Sequence, residues 1–151
     1  AVRDSIDKIL EFFYVCHICG KNAADKSYDR SGYRQFEYLN EEIIDIFAMS
    51  DVVVSRAGAT TLFEILELKK PNVLIPLSLK ASRGDQILNA NSFKAQGYSE
   101  VIEEEKLDCA SLCAAINKLY AEKESYIKAM SDRKTKDAVT EIVDKINEIA
   151  I

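Results

Sequence analysis

The sequence predicts an α/β domain, a parallel sheet covered by helices on both faces. Three observations predict it. Short unbroken apolar runs at 12–15, 52–54 and 73–75 are spaced by helical patterns rather than by hairpin turns. Continuous Val/Ile/Leu runs of this length mark strands buried on both faces. Glycine and proline (Gly58, Pro71, Gly84, Gly97) punctuate the alternation where elements must end. Strands alternating with helices are the recipe of a parallel sheet.

Taken in order, residues 3–11 read as a helix and 12–17 as a buried strand. The polar stretch 19–31, with Asn22, Asp25, Ser27 and Asp29 between two glycines, reads as a loop, and 33–38 as a short strand. Asn40 can cap a helix running to about 49, with acidic residues in its first turn. A second buried strand covers 52–54, and a helix 61–68 follows. Pro71 ends that helix, and 72–76 forms a third apolar strand. After a loop at 78–83, residues 84–96 read as helix, with Gly97 in the glycine position that follows a helix. A last strand covers 98–102. Beyond it the pattern is helical at 104–121, 123–131 and 134–149, the last with Val139, Ile142, Val143 and Ile146 on one stripe.

At 151 residues, 48% hydrophobic and 30% charged, the chain suits one globular domain. Its net charge of −5 and pI near 5.0 argue against a nucleic-acid partner, which needs a basic surplus. The acidic runs Glu41-Glu42 and Glu103-Glu104-Glu105 read as solvated helix starts. No run approaches the roughly 18–20 apolar residues of a membrane span, and no signal-peptide layout is present. The expected location is the cytoplasm, with a peripheral membrane role left open.

Cys16-His17-Ile18-Cys19 matches C-x-x-C, and Cys109 and Cys113 lie at i, i+4. Packed, reduced thiols are the expected reading; half a zinc site or a redox pair are the alternatives. His17, the one histidine, sits at a strand end and reads as structural. No Ser-His-Asp set, carboxylate pair or metal cluster is legible, so no catalytic residue, metal or cofactor is assigned.

Two helix starts carry the chemistry. In Ser55-Arg-Ala-Gly-Ala-Thr-Thr61, Gly58 allows a sharp turn and a close approach by a ligand. The backbone N–H groups that follow, at Ala59, Thr60 and Thr61, suit a diphosphate. Glu64, one turn in, either accepts both hydroxyls of a ribose or closes a Thr61-x-x-Glu64 capping box. In Ser82-Arg-Gly-Asp-Gln-Ile-Leu-Asn89, Ser82 and Asp85 are candidate caps. Gln86 and Asn89 share a face and either bind sugar hydroxyls or lie solvated. Both starts follow the carboxyl end of a strand, where parallel sheets bind ligands. A domain of this kind ordinarily opens with a strand and a Gly-rich turn. This chain opens with a helix and has no G-x-G-x-x-G, so residues 1–151 read as one domain lacking its first strand and Gly-rich loop.

The strings Asp51-Val-Val-Val-Ser-Arg-Ala-Gly-Ala-Thr-Thr-Leu-Phe-Glu64, Lys70-Pro-Asn-Val-Leu-Ile-Pro76 and Gly84-Asp-Gln-Ile-Leu-Asn-Ala90 resemble the MurG family. Those enzymes move N-acetylglucosamine from UDP-N-acetylglucosamine to lipid I, forming lipid II of peptidoglycan. The resemblance runs from about residue 12 to 97, more loosely beyond. It implies the Rossmann-like, donor-binding C-terminal half of a GT-B glycosyltransferase, acting as part of a longer enzyme peripheral to the cytoplasmic face of the bacterial inner membrane.

Carried over, the resemblance implies donor phosphates at Ala59, Thr60 and Thr61, ribose on Glu64 and N-acetylglucosamine hydroxyls on Gln86 and Asn89. It implies a backbone contact of Leu39 to uracil, and a leaving diphosphate stabilised by the helix dipole at Gly58 without a metal ion. The family's Gly-rich loop and its N-terminal acceptor domain have no counterpart here, so the chain alone is expected to be inactive. Asp85 stands where many members carry His or Gln. Other readings from different classes are a GT-B transferase for another UDP or dTDP sugar, and a non-catalytic nucleotide-sugar-binding subunit.

Overall fold

The computed structural model describes residues 2–133 and 138–149. Helix α1 (Val2–Ile9) leads to β1 (Val15–Ile18), then to β2 (Tyr33–Phe36), α2 (Ile43–Met49) and β3 (Val53–Ser55). There follow α3 (Ala59–Glu67), β4 (Asn72–Leu74), α4 (Asp85–Ala95), β5 (Ser99–Val101), α5 (Cys109–Ala121), α6 (Lys123–Ser131) and α7 (Ala138–Ile149). Short 3-10 turns cover Lys26–Tyr28 and Glu104–Lys106. The predicted start of the last helix, 134–137, lies outside the described residues.

All strand pairs are parallel, as the alternation predicts, but the ladder is in two parts. β1 pairs with β2, and β3, β4 and β5 pair in that order. The two parts are held by helices. α1 packs on α5, and α5 lies against β4. At the head of the strands, the Phe13 ring meets Tyr120 edge-on at 5.2 Å. Lys123 Nζ lies 4.9 Å over the same Tyr120 ring and 3.0 Å from Asp51. Phe13 precedes β1 and Asp51 precedes β3, so both strands start at one edge and their carboxyl ends share the other.

Burial identifies the centre. Successive strand residues face opposite sides, and in β4 Asn72, Val73 and Leu74 are all 0% exposed. β4 is therefore covered on both faces. The crossovers α3 and α4 join neighbouring parallel strands in the same sense, so the right-handed rule puts them on one side together. The core joins Leu62, Leu66, Val73, Leu74, Ala90, Phe93, Leu112, Ile116 and Leu119. Asn72 is buried yet satisfied: its Nδ2 donates to Lys70 O and Tyr98 O, and its Oδ1 accepts from Ser99 Oγ at 2.6 Å. Glu100 ties β5 to the last helices, accepting from Lys118 and from the Tyr126 hydroxyl at 2.6 Å.

Several boundaries differ from the sequence reading. Residues 12–14 are not strand: Phe12 and Phe13 N–H donate to Ile9 O, finishing the α1 turn, and the ladder starts with Val15 N–H to Gly32 O. Nor is β1 buried, with Cys16 and Ile18 exposed on one face. Asn40 does not cap α2; the helix begins at Ile43 after Glu42, whose carboxylate accepts the Asn40 N–H. The helical reading from 104 breaks at Asp108, which caps α5 reciprocally with Ser111. Gly97 performs as read. With φ +73 it closes α4, Gly97 N–H bonding Lys94 O and Tyr98 N–H bonding Phe93 O, while the Phe93 and Tyr98 rings pack edge to face. The four cysteines are free thiols. Among the described residues no group of three or more His, Cys, Asp or Glu could hold a metal ion, and no helix is long and apolar enough to cross a membrane.

Candidate functional site

The carboxyl ends of β3 and β4 lead into two turns that stand side by side. The first runs from Ser55 to Gly58, the N-cap of α3, with no side chain capping it. Leu62 N–H bonds Gly58 O, so the N–H groups of Ala59, Thr60 and Thr61 lie ahead of the first intrahelical bond and have no helical acceptor. A Cβ built on Gly58 would meet nothing within 4 Å. The helix starts two residues earlier than the sequence suggested, which overturns the capping-box reading. Thr61 is the third helical residue rather than the cap, and Glu64 the sixth.

Glu64 is exposed and makes no side-chain hydrogen bond or ion pair with the other described residues. It lies three and four residues from Thr61 and Thr60, and helical side chains lean toward the N-terminus. Its carboxylate therefore stands over the stripe that carries the free N–H groups, opposite the buried Leu62, Ile65 and Leu66.

The second turn runs from Ile75 to Gly84, the N-cap of α4, at φ +89. Neither proposed side-chain cap is used: Ser82 Oγ accepts Gly84 N–H within the loop, and Asp85 is the first helical residue. Gln86 and Asn89 are not a merely solvated face. Gln86 Oε1 accepts the Leu77 N–H at 3.1 Å, and Asn89 Nδ2 donates to Ala57 O at 3.1 Å. These bonds fix how each amide is turned. Among the described residues the Gln86 NH2 has no acceptor and the Asn89 carbonyl has no donor. One donor and one acceptor on adjacent turns match a pair of sugar hydroxyls.

Sequence reasoning missed Arg56 and Glu104. Arg56 Nη2 lies 2.7 Å from Glu104 Oε1, Arg56 Nη1 donates to Ile75 O, and Glu104 Oε2 accepts the Ser78 N–H at 3.0 Å. The Ser78 N–H first, and then Arg56, hold the Glu104 carboxyl below its ordinary pKa. In sequence Glu104 is the middle of three glutamates, and nothing there singles it out.

Leu39 is half-buried in the loop after β2. Its backbone N–H and C=O have no partner among the described residues, and no hydrogen bond joins it to the α3 and α4 starts. His17, read as structural, lies beside Tyr33. Its Nδ1 is 2.7 Å from the Tyr33 hydroxyl, and burial, with the nearby Arg3 charge, lowers its pKa.

Comparison with known proteins gives this geometry a context. The family model for the glycosyltransferase family 28 C-terminal domain matches residues 1–146. A protein of Lachnospira eligens is 50% identical over 149 residues, 98% of this chain and 42% of its own length. It is named UDP-N-acetylglucosamine–N-acetylmuramyl-(pentapeptide) pyrophosphoryl-undecaprenol N-acetylglucosamine transferase. A protein of Lachnoclostridium phytofermentans with the same name is 48% identical over 152 residues, covering 100% of this chain and 43% of its own length. The chain thus spans less than half the length of these relatives. Among solved structures, Acinetobacter baumannii MurG superposes with a TM-score of 0.73 at 18% identity, over 97% of this chain and 45% of that one. The spinosyn forosaminyltransferase SpnP gives 0.57 at 13% identity, over 78% and 30%. Both likenesses are of fold.

Proposed function

From the premise that the chain belongs to glycosyltransferase family 28, as a C-terminal domain of Rossmann-like α/β fold, we propose that it is the donor-binding half of an enzyme that transfers N-acetylglucosamine from UDP-N-acetylglucosamine to lipid I, producing lipid II. The observation that carries this is the juxtaposition of two helix starts. Asn89 is bonded to Ala57 O, one residue before Gly58, so the sugar-binding amides adjoin the open N–H groups of α3. A diphosphate sits at Gly58 to Thr61, favoured by orphan donors and the helix dipole. Glu64 accepts the ribose hydroxyls, Gln86 and Asn89 hold the sugar, and the Leu39 backbone meets uracil. The muramyl C4 hydroxyl of lipid I attacks the anomeric carbon with inversion and expels UDP, and the α3 dipole stabilises the leaving diphosphate. The full-length enzyme works at the cytoplasmic face of the inner membrane, with an acceptor domain outside these 151 residues. This chain alone binds donor without transferring it.

The divided sheet supports one further part of this reading. β1 and β3 start at one shared edge, and among the described residues each has one unpaired side. The helix that crosses between the sheet halves, α2, buries none of its residues, although Ile43, Ile46 and Phe47 form an apolar stripe. β3 is only half-buried along its length. A parallel strand from outside this chain, inserted between β1 and β3, pairs both edges and gives that stripe something to cover.

Calorimetric titration with UDP-N-acetylglucosamine, UDP-glucose, dTDP-glucose and UDP tests the donor reading, with Glu64→Ala in parallel. The expected result is a preference for UDP-N-acetylglucosamine that Glu64→Ala reduces about 10- to 100-fold, the loss of one hydrogen-bonded carboxylate. Its thermal stability should be unchanged, as for other surface substitutions. Preference for another sugar assigns a different transferase of the same fold. No binding of any nucleotide ligand rejects the donor reading.

A further inference from the structure

We propose that Glu104 is a positioning residue of this site, the clamp that sets the distance and angle between the phosphate-binding turn and the sugar-binding turn. The proposal rests on the donor reading above. Among the described side chains that bond to either turn, Glu104 is the one that does so from outside both crossover units. It enters from the 3-10 turn after β5 and divides its two oxygens, Oε1 to Arg56 and Oε2 to the Ser78 N–H. Arg56 precedes Ala57 and Gly58. Ser78 follows Leu77, whose N–H holds Gln86. Arg56 also reaches Ile75 O, at the carboxyl end of β4.

The bonds form a closed circuit. Ala57 is fixed to Asn89, Leu77 to Gln86, and Arg56 and Ser78 to each other through one carboxylate. Removing Glu104 leaves each helix start intact, since Gly58 O still accepts Leu62 N–H and Gly84 O still accepts Leu88 N–H. What is lost is the register between them. Arg56 and Glu104 side chains are 48% and 30% exposed, so their ion pair adds little to global stability. Its value lies in geometry, because two hydrogen-bonding groups that must meet one ligand are useful only at a fixed separation. A ligand that touches only the phosphate turn should ignore the clamp, whereas one that spans both turns should depend on it.

The test compares UDP with UDP-N-acetylglucosamine in calorimetric titrations of the unaltered chain, Glu104→Ala and Glu104→Gln. Glu104→Ala should weaken UDP-N-acetylglucosamine about tenfold, the worth of one well-made hydrogen bond, and UDP less than about threefold. Glu104→Gln keeps an oxygen for the Ser78 N–H but turns an NH2 donor toward Arg56, which has no acceptor. It therefore opens the circuit and should show the same selective loss in smaller measure. Equal weakening of both ligands by Glu104→Ala means general loosening and overturns the proposal. So does an unchanged preference for UDP-N-acetylglucosamine over UDP in both variants. If Glu104→Ala does not fold, the clamp is structural and the proposal fails unless folded Glu104→Gln shows the selective loss. If the unaltered chain binds neither ligand, the donor reading falls and this inference with it.

Discussion

Replacing Gly58 by alanine separates a residue kept for folding from one kept for a ligand. Gly58 has φ −69 and ψ 138, a conformation open to any residue, and an added Cβ meets nothing within 4 Å. Alanine is a poorer N-cap than glycine by up to about 1 kcal/mol. It also restricts the unfolded chain, which returns about 0.4–1 kcal/mol. The two nearly cancel. With about 2–4 °C of melting temperature per kcal/mol at this size, the shift should be under about 2 °C.

Ligand binding should respond very differently to the same change. The new methyl carbon projects about 1.5 Å from Cα into the open space before the Ala59, Thr60 and Thr61 N–H groups. Holding a phosphate away from one charge-assisted hydrogen bond costs about 1.5–3 kcal/mol, or roughly 10- to 100-fold in affinity for UDP. Gly84→Ala is the control, because its φ of +89 demands glycine while its Cβ would meet only the exposed Leu79 Cδ2 at 3.0 Å. Left-handed backbone there costs about 1–2 kcal/mol, lowering the melting temperature by about 2–8 °C. Differential scanning calorimetry and UDP titration read both effects. Unaltered UDP affinity in Gly58→Ala would remove the anion from the α3 start. A large loss of stability would show that the glycine is there for the fold.

Three further outcomes follow from buried and half-buried polar groups. Asn72→Ala strands the Lys70 and Tyr98 carbonyls and the Ser99 hydroxyl inside the sheet. It should cost about 2–4 kcal/mol and lower the melting temperature by roughly 4–16 °C; a drop below about 2 °C would contradict that role. His17 titrates below its ordinary value in the folded chain, through burial and then the Arg3 charge. As pH falls through about 6.5 the unfolded chain takes up this proton first. The His17 contribution to stability should therefore decline as pH falls through that value and level off below the folded pKa. Melting curves from pH 7.5 to 5.5 should slope less in His17→Gln, and an identical slope would exclude this source. Glu100 acts lower: burial opposes its ionisation, but Lys118 and Tyr126 outweigh this and depress its pKa. Its contribution is present above the ordinary carboxylate value and disappears as pH falls through the depressed one.

The legible parts of the fold were those with a local cause. Gly97 announced the end of α4 because a left-handed residue after a helix is nearly always glycine, and the flanking Phe93 and Tyr98 close the motif. Val73 and Leu74 announced a parallel strand because a strand covered on both faces has no polar side to show. Where a local rule had a rival, the reading slipped. Thr61 and Glu64 imitate a capping box, yet the helix had already begun at Ala59 once Gly58 released the turn. Phe12 and Tyr14 carry strand composition, but the α1 turn takes the backbone of 12 and 13, and both side chains remain exposed. The orientation of the Gln86 and Asn89 amides and the Glu104 clamp were illegible for another reason. Each depends on a partner at least nine residues away, and no spacing rule encodes that.

The divided ladder also bears on how the molecule opens. A two-stranded pair standing alone is marginal, and β1 and β2 share no backbone hydrogen bond with β3, β4 or β5. Their amides should stay protected from solvent exchange while α1 stays on α5 and Phe13 and Val15 stay on the core. Exchange in residues 15–18 and 33–36 therefore reports the undocking of one helix, whereas Val73 and Leu74, at the centre, exchange only when the whole domain unfolds. The domain should therefore open as two cooperative units of unequal strength, the weaker one ending in the loop that carries Leu39.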